Sequence, residues 1–348
     1  MNFWSAPNFA AAFRMTLILF TLNGFIVAQS AISKNAFKLP MVPQPADNKM
    51  TAERVHLGKM LFFDPRLSGE RQMSCATCHD PMQEWSDGLP TAIGHNHKTL
   101  RRATPSLLNT GFNHLQMWDG RFHSLEEQVL GPLQSTDEMD SNMAQVLDLL
   151  RSIPEYTKAF DKAYAGAGVN QATLAKAIAS FERTLILRQT PFDRWVEGND
   201  NAISVPAKRG FNLFIGKANC VVCHQAPNFT DEGFHNIGLE NNQDVGRYAV
   251  VPIKVTKGGF KTPSLRGVSL TAPYMHDGRY KTLEEVIDHY DRGGDDKQNL
   301  DPNIKPLNLT AQEKIDLLQF LNSLSSRLKP MAAPTLPGLG RPTAKDRL

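Results

Sequence analysis

Cys75-Ala-Thr-Cys78-His79 and Cys220-Val-Val-Cys223-His224 contain all four cysteines of this 348-residue chain. Cys-x-x-Cys alone suits a disulfide loop or a zinc site. Neither needs a histidine directly after the second cysteine, whereas covalent haem attachment does: two thiols add to the haem vinyl groups and the adjacent imidazole ligates iron. The repeated pentad therefore predicts two covalent haem c groups, held by Cys75, Cys78, Cys220 and Cys223, with His79 and His224 as iron ligands.

Outward from the pentads the chain repeats itself. Met117-Trp118-Asp119-Gly120-Arg121-Phe122-His123-Ser124-Leu125-Glu126-Glu127 returns as Met275-His276-Asp277-Gly278-Arg279-Tyr280-Lys281-Thr282-Leu283-Glu284-Glu285, an offset of 158 residues. Thr104-Pro105-Ser106-Leu107 returns at the same offset from Thr262, and Gly-x-x-Leu-Phe precedes each pentad at Gly58 and Gly210. A duplication missed early distorts every later assignment. The expected fold is mainly α, with two fused c-type cytochrome domains related by this duplication. A peroxidatic haem domain is expected over 40–190, an electron-transfer haem domain over 200–328 and a flexible tail over 329–348, with the polar run from Glu197 to Asn201 near the boundary.

The two copies differ in ways that bear on chemistry. From His79 to Thr104 is 25 residues and from His224 to Thr262 is 38, so extra chain follows the second pentad. Trp118 stands opposite His276, Gln128 opposite Val286 and Pro132 opposite Tyr290. Ser124 with Glu127, and Thr282 with Glu285, are capping-box signatures that start a helix after each Asp-Gly-Arg turn. In the second of these helices Leu283, Val286, Ile287 and Tyr290 share one face, which turns Tyr290 inward. Further helices are expected over 142–164 and 171–188, and a last one capped by Thr310 and Glu313 carries Ile315, Leu318 and Leu321.

Met15 to Ala28 is an apolar run of 14 residues after Arg14, followed by small residues, which reads as an export signal over 1–30 and places the chain in the periplasm. The run is short of the roughly 20 residues that span a bilayer, so no stable membrane insertion is expected after cleavage. A net charge of +3 predicts no nucleic-acid partner. Hydrophobic residues at 41% argue against disorder over most of the length.

The pentads, Gly88-Leu-Pro-Thr-Ala-Ile-Gly-His95, Trp118-Asp-Gly-Arg121, Gln128 to Met139 and Pro273-Tyr-Met-His-Asp-Gly278 fall in one familiar order. Over residues 40–325 the chain resembles the bacterial dihaem cytochrome c peroxidases and their MauG-type relatives. That resemblance implies that the haem on His79 meets hydrogen peroxide, that Glu138 moves a proton during peroxide cleavage and that Gln128 holds water or peroxide beside it. It implies that Trp118 lies between the haems and supports electron or hole transfer. His95 matches a loop histidine that caps the first iron in the resting state of peroxidases activated by reduction, with His97 as a competitor.

Tyr290 matches the sixth-ligand position of the second haem, where ordinary peroxidases of the family carry methionine and MauG-type proteins tyrosine. A phenolate favours higher oxidation states than a thioether does. Met275 and His289 are the alternatives to Tyr290 as ligand, although His289 projects about 100° away around the helix. Ala218 replaces a tryptophan that MauG-type proteins use for hole hopping. Thr271 and Pro273 match the carbonyl ligands of a calcium ion between the domains, but Ala103 stands at the position of its asparagine ligand.

Three functions are therefore compared. A MauG-type enzyme would oxidise a protein substrate with peroxide, as in the maturation of the tryptophan-derived cofactor of methylamine dehydrogenase. A cytochrome c peroxidase would reduce peroxide with electrons from a small cytochrome c or cupredoxin. A dihaem electron carrier would need two closed iron sites and no proton-handling groups, against which Glu138 and Gln128 argue.

Overall fold

The structure, a computed structural model, describes residues 32–339, so the expected leader and the end of the expected tail lie outside it. Ten α-helices run in order: α1 (Ala52–Phe62), α2 (Cys75–Cys78), α3 (Leu125–Gln134), α4 (Met143–Ser152), α5 (Pro154–Ala163), α6 (Gln171–Glu182), α7 (Pro191–Val196), α8 (Val205–Ile215), α9 (Leu283–Asp291) and α10 (Ala311–Ser323). The described strands are β1 (Phe234–His235) and β2 (Phe260–Lys261), an antiparallel pair in the extra chain of the second module. The fold is mainly helical, with two cytochrome-type domains.

Each module is built on one helix crossing. The Gly-x-x-Leu-Phe motif explains it: a Cβ on Gly58 would lie 1.9 Å from the Ala177 carbonyl oxygen, and one on Gly210 would lie 2.0 Å from that of Asp316. Glycine lets α1 lie directly on α6 and α8 on α10. Around the first crossing pack Leu61, Phe62, Tyr156, Phe160 and Phe181. Around the second pack Phe192, Phe211, Phe214, Phe229 and Phe320. Each such side chain contributes about 2–3 kcal/mol by leaving water.

The predicted caps form. The Ser124 side chain accepts from the Glu127 amide, and Thr282 and Thr310 make complete capping boxes with Glu285 and Glu313. Three details differ from expectation. The helix expected over 142–164 breaks at an extended Ile153, because the following Pro154 disfavours helical backbone before it and starts α5 instead. The helix expected over 171–188 ends at Glu182, since the next residues turn away to pair with Asn109, whose amide donates to the Leu185 carbonyl (2.9 Å) and whose Oδ1 accepts from the Leu187 amide (2.6 Å). Ile315 is half exposed on α10, and the packed face is Leu317, Phe320 and Leu321.

The ends of the described chain cross over. Phe37, well before α1, belongs to the second core together with Phe192 and Trp195 of α7. The segment after Leu328, expected to be a mobile tail, lays Met331 and Leu336 against the first core, where apolar surface is available to cover them.

Candidate functional site

The histidines of the two pentads are oriented by one device used twice. His79 Nδ1 lies 3.1 Å from the Trp85 carbonyl, and His224 Nδ1 lies 2.9 Å from the Phe229 carbonyl. Trp85 and Phe229 achieve this with left-handed backbones, φ 63° and 56°, which bulky residues rarely adopt. The residue before each left-handed aromatic is held in turn. Ser106 Oγ donates to the Glu84 carbonyl and Ser264 Oγ to that of Asn228, both at 2.7 Å, so the repeated Thr-Pro-Ser-Leu turn pins the residue before each aromatic. Burial pushes both imidazoles down in pKa. With Nδ1 donating to a carbonyl, Nε2 keeps its lone pair for a metal, the usual arrangement of a ligating histidine.

The second module shows the space such a ligand serves. A cavity with mostly apolar walls brings together Cys220, Cys223, His224 and Tyr290. Leu283, Val286 and Ile287 line it from the same face of α9 as Tyr290, as the periodicity predicts. Burial pushes the Tyr290 phenol up. Met275 also lines the cavity, whereas both nitrogens of His289 are spent elsewhere: Nδ1 on the Tyr280 hydroxyl (3.0 Å) and Asp295 (3.1 Å), Nε2 on the Ile237 carbonyl (3.0 Å). His289 is thus removed as an alternative ligand.

All four cysteines are free, so no disulfide joins either pair. Among the described residues, the group of side chains gathered closely enough to hold a metal is Cys223, Asp231 and His235, which takes only one residue from a pentad. His235 is already committed, its ring nitrogens 3.0 Å from Asp231 and 2.6 Å from Asp301. Asp231 leads in pushing His235 up to about 11, and with both ring nitrogens spent on carboxylates it is a poor metal ligand. Paired free thiols, a carbonyl-oriented imidazole and an apolar cavity fit a haem, and do not fit zinc.

In the first module, α3 and the loop after it carry the predicted polar groups. Gln128 and Pro132 stand four residues apart on α3, at the repeat positions of Val286 and Tyr290, which line the second cavity. The loop folds back as Glu138 and Asp140 donate their amides to the Ser135 carbonyl (3.0 and 2.9 Å). Burial pushes the Glu138 carboxyl up, against the opposing pull of Arg121, and its charge in turn acts on Cys78. Gln128 makes only a long contact, 3.7 Å, to Met117 Sδ. His95 docks on the same loop, its amide 3.1 Å from the Asp137 carbonyl and its Nε2 3.5 Å from Asp140. His97 is exposed.

Trp118 sits where the modules meet. Its indole donates to the Ala103 carbonyl (2.9 Å), its own carbonyl accepts from the Lys261 amide (2.8 Å), and its ring lies 6.4 Å from that of His276 while bordering the second cavity. Ala103 supplies no side-chain ligand for calcium, and its amide and carbonyl are both taken, by His276 and Trp118. Thr271 closes the short turn Val268–Leu270, and Pro273 follows two residues on.

The profile of the di-haem cytochrome c peroxidase family matches residues 52–201, and that of cytochrome c matches 207–325. The methylamine utilization protein MauG of Methylorubrum extorquens is 43% identical over 88% of this chain and 88% of its own. The cytochrome c551 peroxidase of Nitrosomonas europaea is 34% identical over 79% of this chain and 82% of its own. Among solved structures, a MauG-like protein associated with microbial copper homeostasis superposes with a TM-score of 0.77 at 31% identity, over 83% of this chain and 93% of that one. The chain belongs to the di-haem cytochrome c peroxidase and MauG family. It is an enzyme of the peroxidase and oxidoreductase class.

Several residues of this dihaem peroxidase relative escape a reading of spacing. Arg102 bridges the modules, donating to Asp119 (2.7 Å) and, through two nitrogens, to Asp244 (2.8 and 3.0 Å). Arg247 donates to the Asp119 and Gly120 carbonyls (2.8 and 2.7 Å). Both partners from the second module lie in the extra chain after its pentad, the one length difference that signals them. Glu182 is nearly fully buried at the end of α6. Its signal is a lone acid on a face otherwise made of Leu174, Ile178 and Phe181.

Proposed function

We propose that this chain is an exported, periplasmic MauG-type enzyme, with haem c joined covalently through Cys75, Cys78, Cys220 and Cys223, that uses hydrogen peroxide to oxidise a protein substrate. The substrate that the MauG-type resemblance implies is a tryptophan-derived cofactor precursor of methylamine dehydrogenase, and two relatives carry a methylamine utilization name. The observation that carries this reading is one repeat position with two occupants. Pro132 has no ligand atom, which leaves room for peroxide at the first haem, whereas Tyr290 offers a phenol beside Cys220, Cys223 and His224.

Bound haem supplies the iron that accepts oxidising equivalents from peroxide and passes them on. The chain supplies the proton chemistry. Glu138, raised in pKa by burial, takes a proton from one peroxide oxygen and returns it to the departing one. Gln128, whose amide has only a weak contact, is free to orient the bound molecule. Trp118, held at both its indole and its carbonyl, keeps an aromatic ring between the modules.

A second reading, a cytochrome c peroxidase fed by a small cytochrome c or cupredoxin, is favoured by His95, which docks on the Glu138 loop. Addition of one equivalent of peroxide to the fully oxidised holoprotein separates the two. The MauG-type reading expects the absorption of both haems to change without prior reduction, and Tyr290→Met to confine the change to the first haem. Reaction only after half-reduction, with loss of His95 ligation, would replace it by the peroxidase.

A further inference from the structure

Glu182 ends α6 with 4% of its surface exposed, and its Oε2 finds no hydrogen-bond partner. A buried carboxyl oxygen without a partner is destabilising in a way that a leucine there would not be. Burial pushes the carboxyl up to about 8; Arg183 beyond the helix end pulls it down and Glu126 on α3 pushes it further up. Arg183 is spent on Glu126 through two bonds (2.7 and 2.8 Å), and Glu126 is also held by Asn48 (2.7 Å). The third titratable group acting with it is Cys75 on α2, whose thiol Glu182 helps push up after burial.

The internal repeat says what this carboxyl faces. Gly58 rests on Ala177 and Phe181 as Gly210 rests on Asp316 and Phe320, which sets Glu182 opposite Leu321. The register is checked one turn on: the Leu185 carbonyl accepts from Asn109 (2.9 Å) and the Leu324 carbonyl from Gly267 (3.0 Å), two residues related by the repeat offset. Leu321 lines the cavity of the second module, beside Leu317. By this register Glu182 holds the first-module counterpart of a position that in the second module is a hydrocarbon lining the cavity.

We propose that Glu182 is a redox-linked proton site of the first module. Reduction of the first haem by one electron from a donor or electrode is accompanied by uptake of one solvent proton on the Glu182 carboxylate, and oxidation releases it. The added electron disfavours a nearby negative charge, so the carboxyl holds its proton more tightly beside reduced haem, and by linkage the proton favours the reduced state. The first-haem potential must then fall with rising pH, and the second, facing Leu321, has no such contribution. This inference rests on the reading that the first pentad carries haem.

Redox titration of the holoprotein from about pH 6 to about pH 10, a range that brackets a raised carboxyl, tests it. The wild type is expected to show a first-haem potential that declines with pH. Glu182→Gln and Glu182→Leu, the latter copying Leu321 and so keeping the packing, should flatten that decline and leave the second haem unchanged. The reduced-minus-oxidised infrared spectrum should show the carbonyl stretch of a protonated acid in the wild type and lose it in Glu182→Gln. Equal pH slopes in wild type and both variants, or no acid band, would overturn the proton site. A protein whose mass contains a single haem would instead overturn the dihaem reading beneath it.

Discussion

In both modules a left-handed aromatic residue turns its carbonyl to the pentad histidine, a serine of the Thr-Pro-Ser-Leu turn holds the residue before it, and a glycine lets two helices touch. The modules part company at matched positions whose second-module members line its cavity: Gln128 against Val286, Pro132 against Tyr290, Glu182 against Leu321. Every difference removes a polar or open feature from one side and replaces it by hydrocarbon or a ligand. The device that fixes the imidazole is the same in both modules. These matched differences are what supports the proposal of proton handling in the first module and closed coordination in the second.

The largest effect that would sharpen this contrast is at Glu138. Glu138→Gln should slow the reaction of the oxidised holoprotein with peroxide by about a hundredfold or more, the worth of a positioned acid–base group, while the second-haem potential stays in place. Stopped-flow absorbance reads the rate, and a spectroelectrochemical titration the potential. Unchanged peroxide kinetics would move the proton role to another residue of the first module. The next effect tests the shared scaffold: Gly58→Ala and Gly210→Ala each drive a methyl group into a backbone carbonyl of the crossing helix. Each should cost about 3 kcal/mol in denaturant unfolding, the upper part of the usual range for overpacking. A large loss at one glycine alone would break the equivalence of the crossings.

How much of this was legible follows from what each residue depends on. The caps and the inward face of Tyr290 depend on neighbours within a turn or two, and they stand as the sequence predicts. The break at Ile153 was equally local, since Pro154 signals it. The left-handed Trp85 and Phe229 were not legible, because nothing in an aromatic side chain favours that backbone; packing and a distant serine impose it. Arg102 and Asp244 meet across 142 positions, one of them in chain that has no counterpart in the first copy. Glu182 was visible as an acid on an apolar face, but its meaning required knowing which residue of α10 stands opposite it.

The smallest expected effect is also the finest test of the repeat. Ser106 Oγ donates to the Glu84 carbonyl and accepts from the Leu108 amide (3.1 Å), and Ser264 Oγ donates to the Asn228 carbonyl and accepts from the Arg266 amide (3.2 Å). Alanine at either site removes this pair of contacts, and at Ser264 also a longer one to Asn228 Oδ1 (3.3 Å), and leaves the carbonyl before the strained aromatic without its donor. Each variant should lose about 1 kcal/mol, the net worth of such a bond in a partly buried setting. If the modules share one scaffold, the two losses should match within error and add in the double variant, because the serines serve separate histidines. The strain at Trp85 and Phe229 gives a second readout: with its lock removed, the carbonyl holds Nδ1 less firmly, so the spectrum of the haem in that module should broaden and the other stay fixed. A loss confined to Ser264→Ala would mean that only the second imidazole depends on its turn, and that the first is held by other contacts around Trp85.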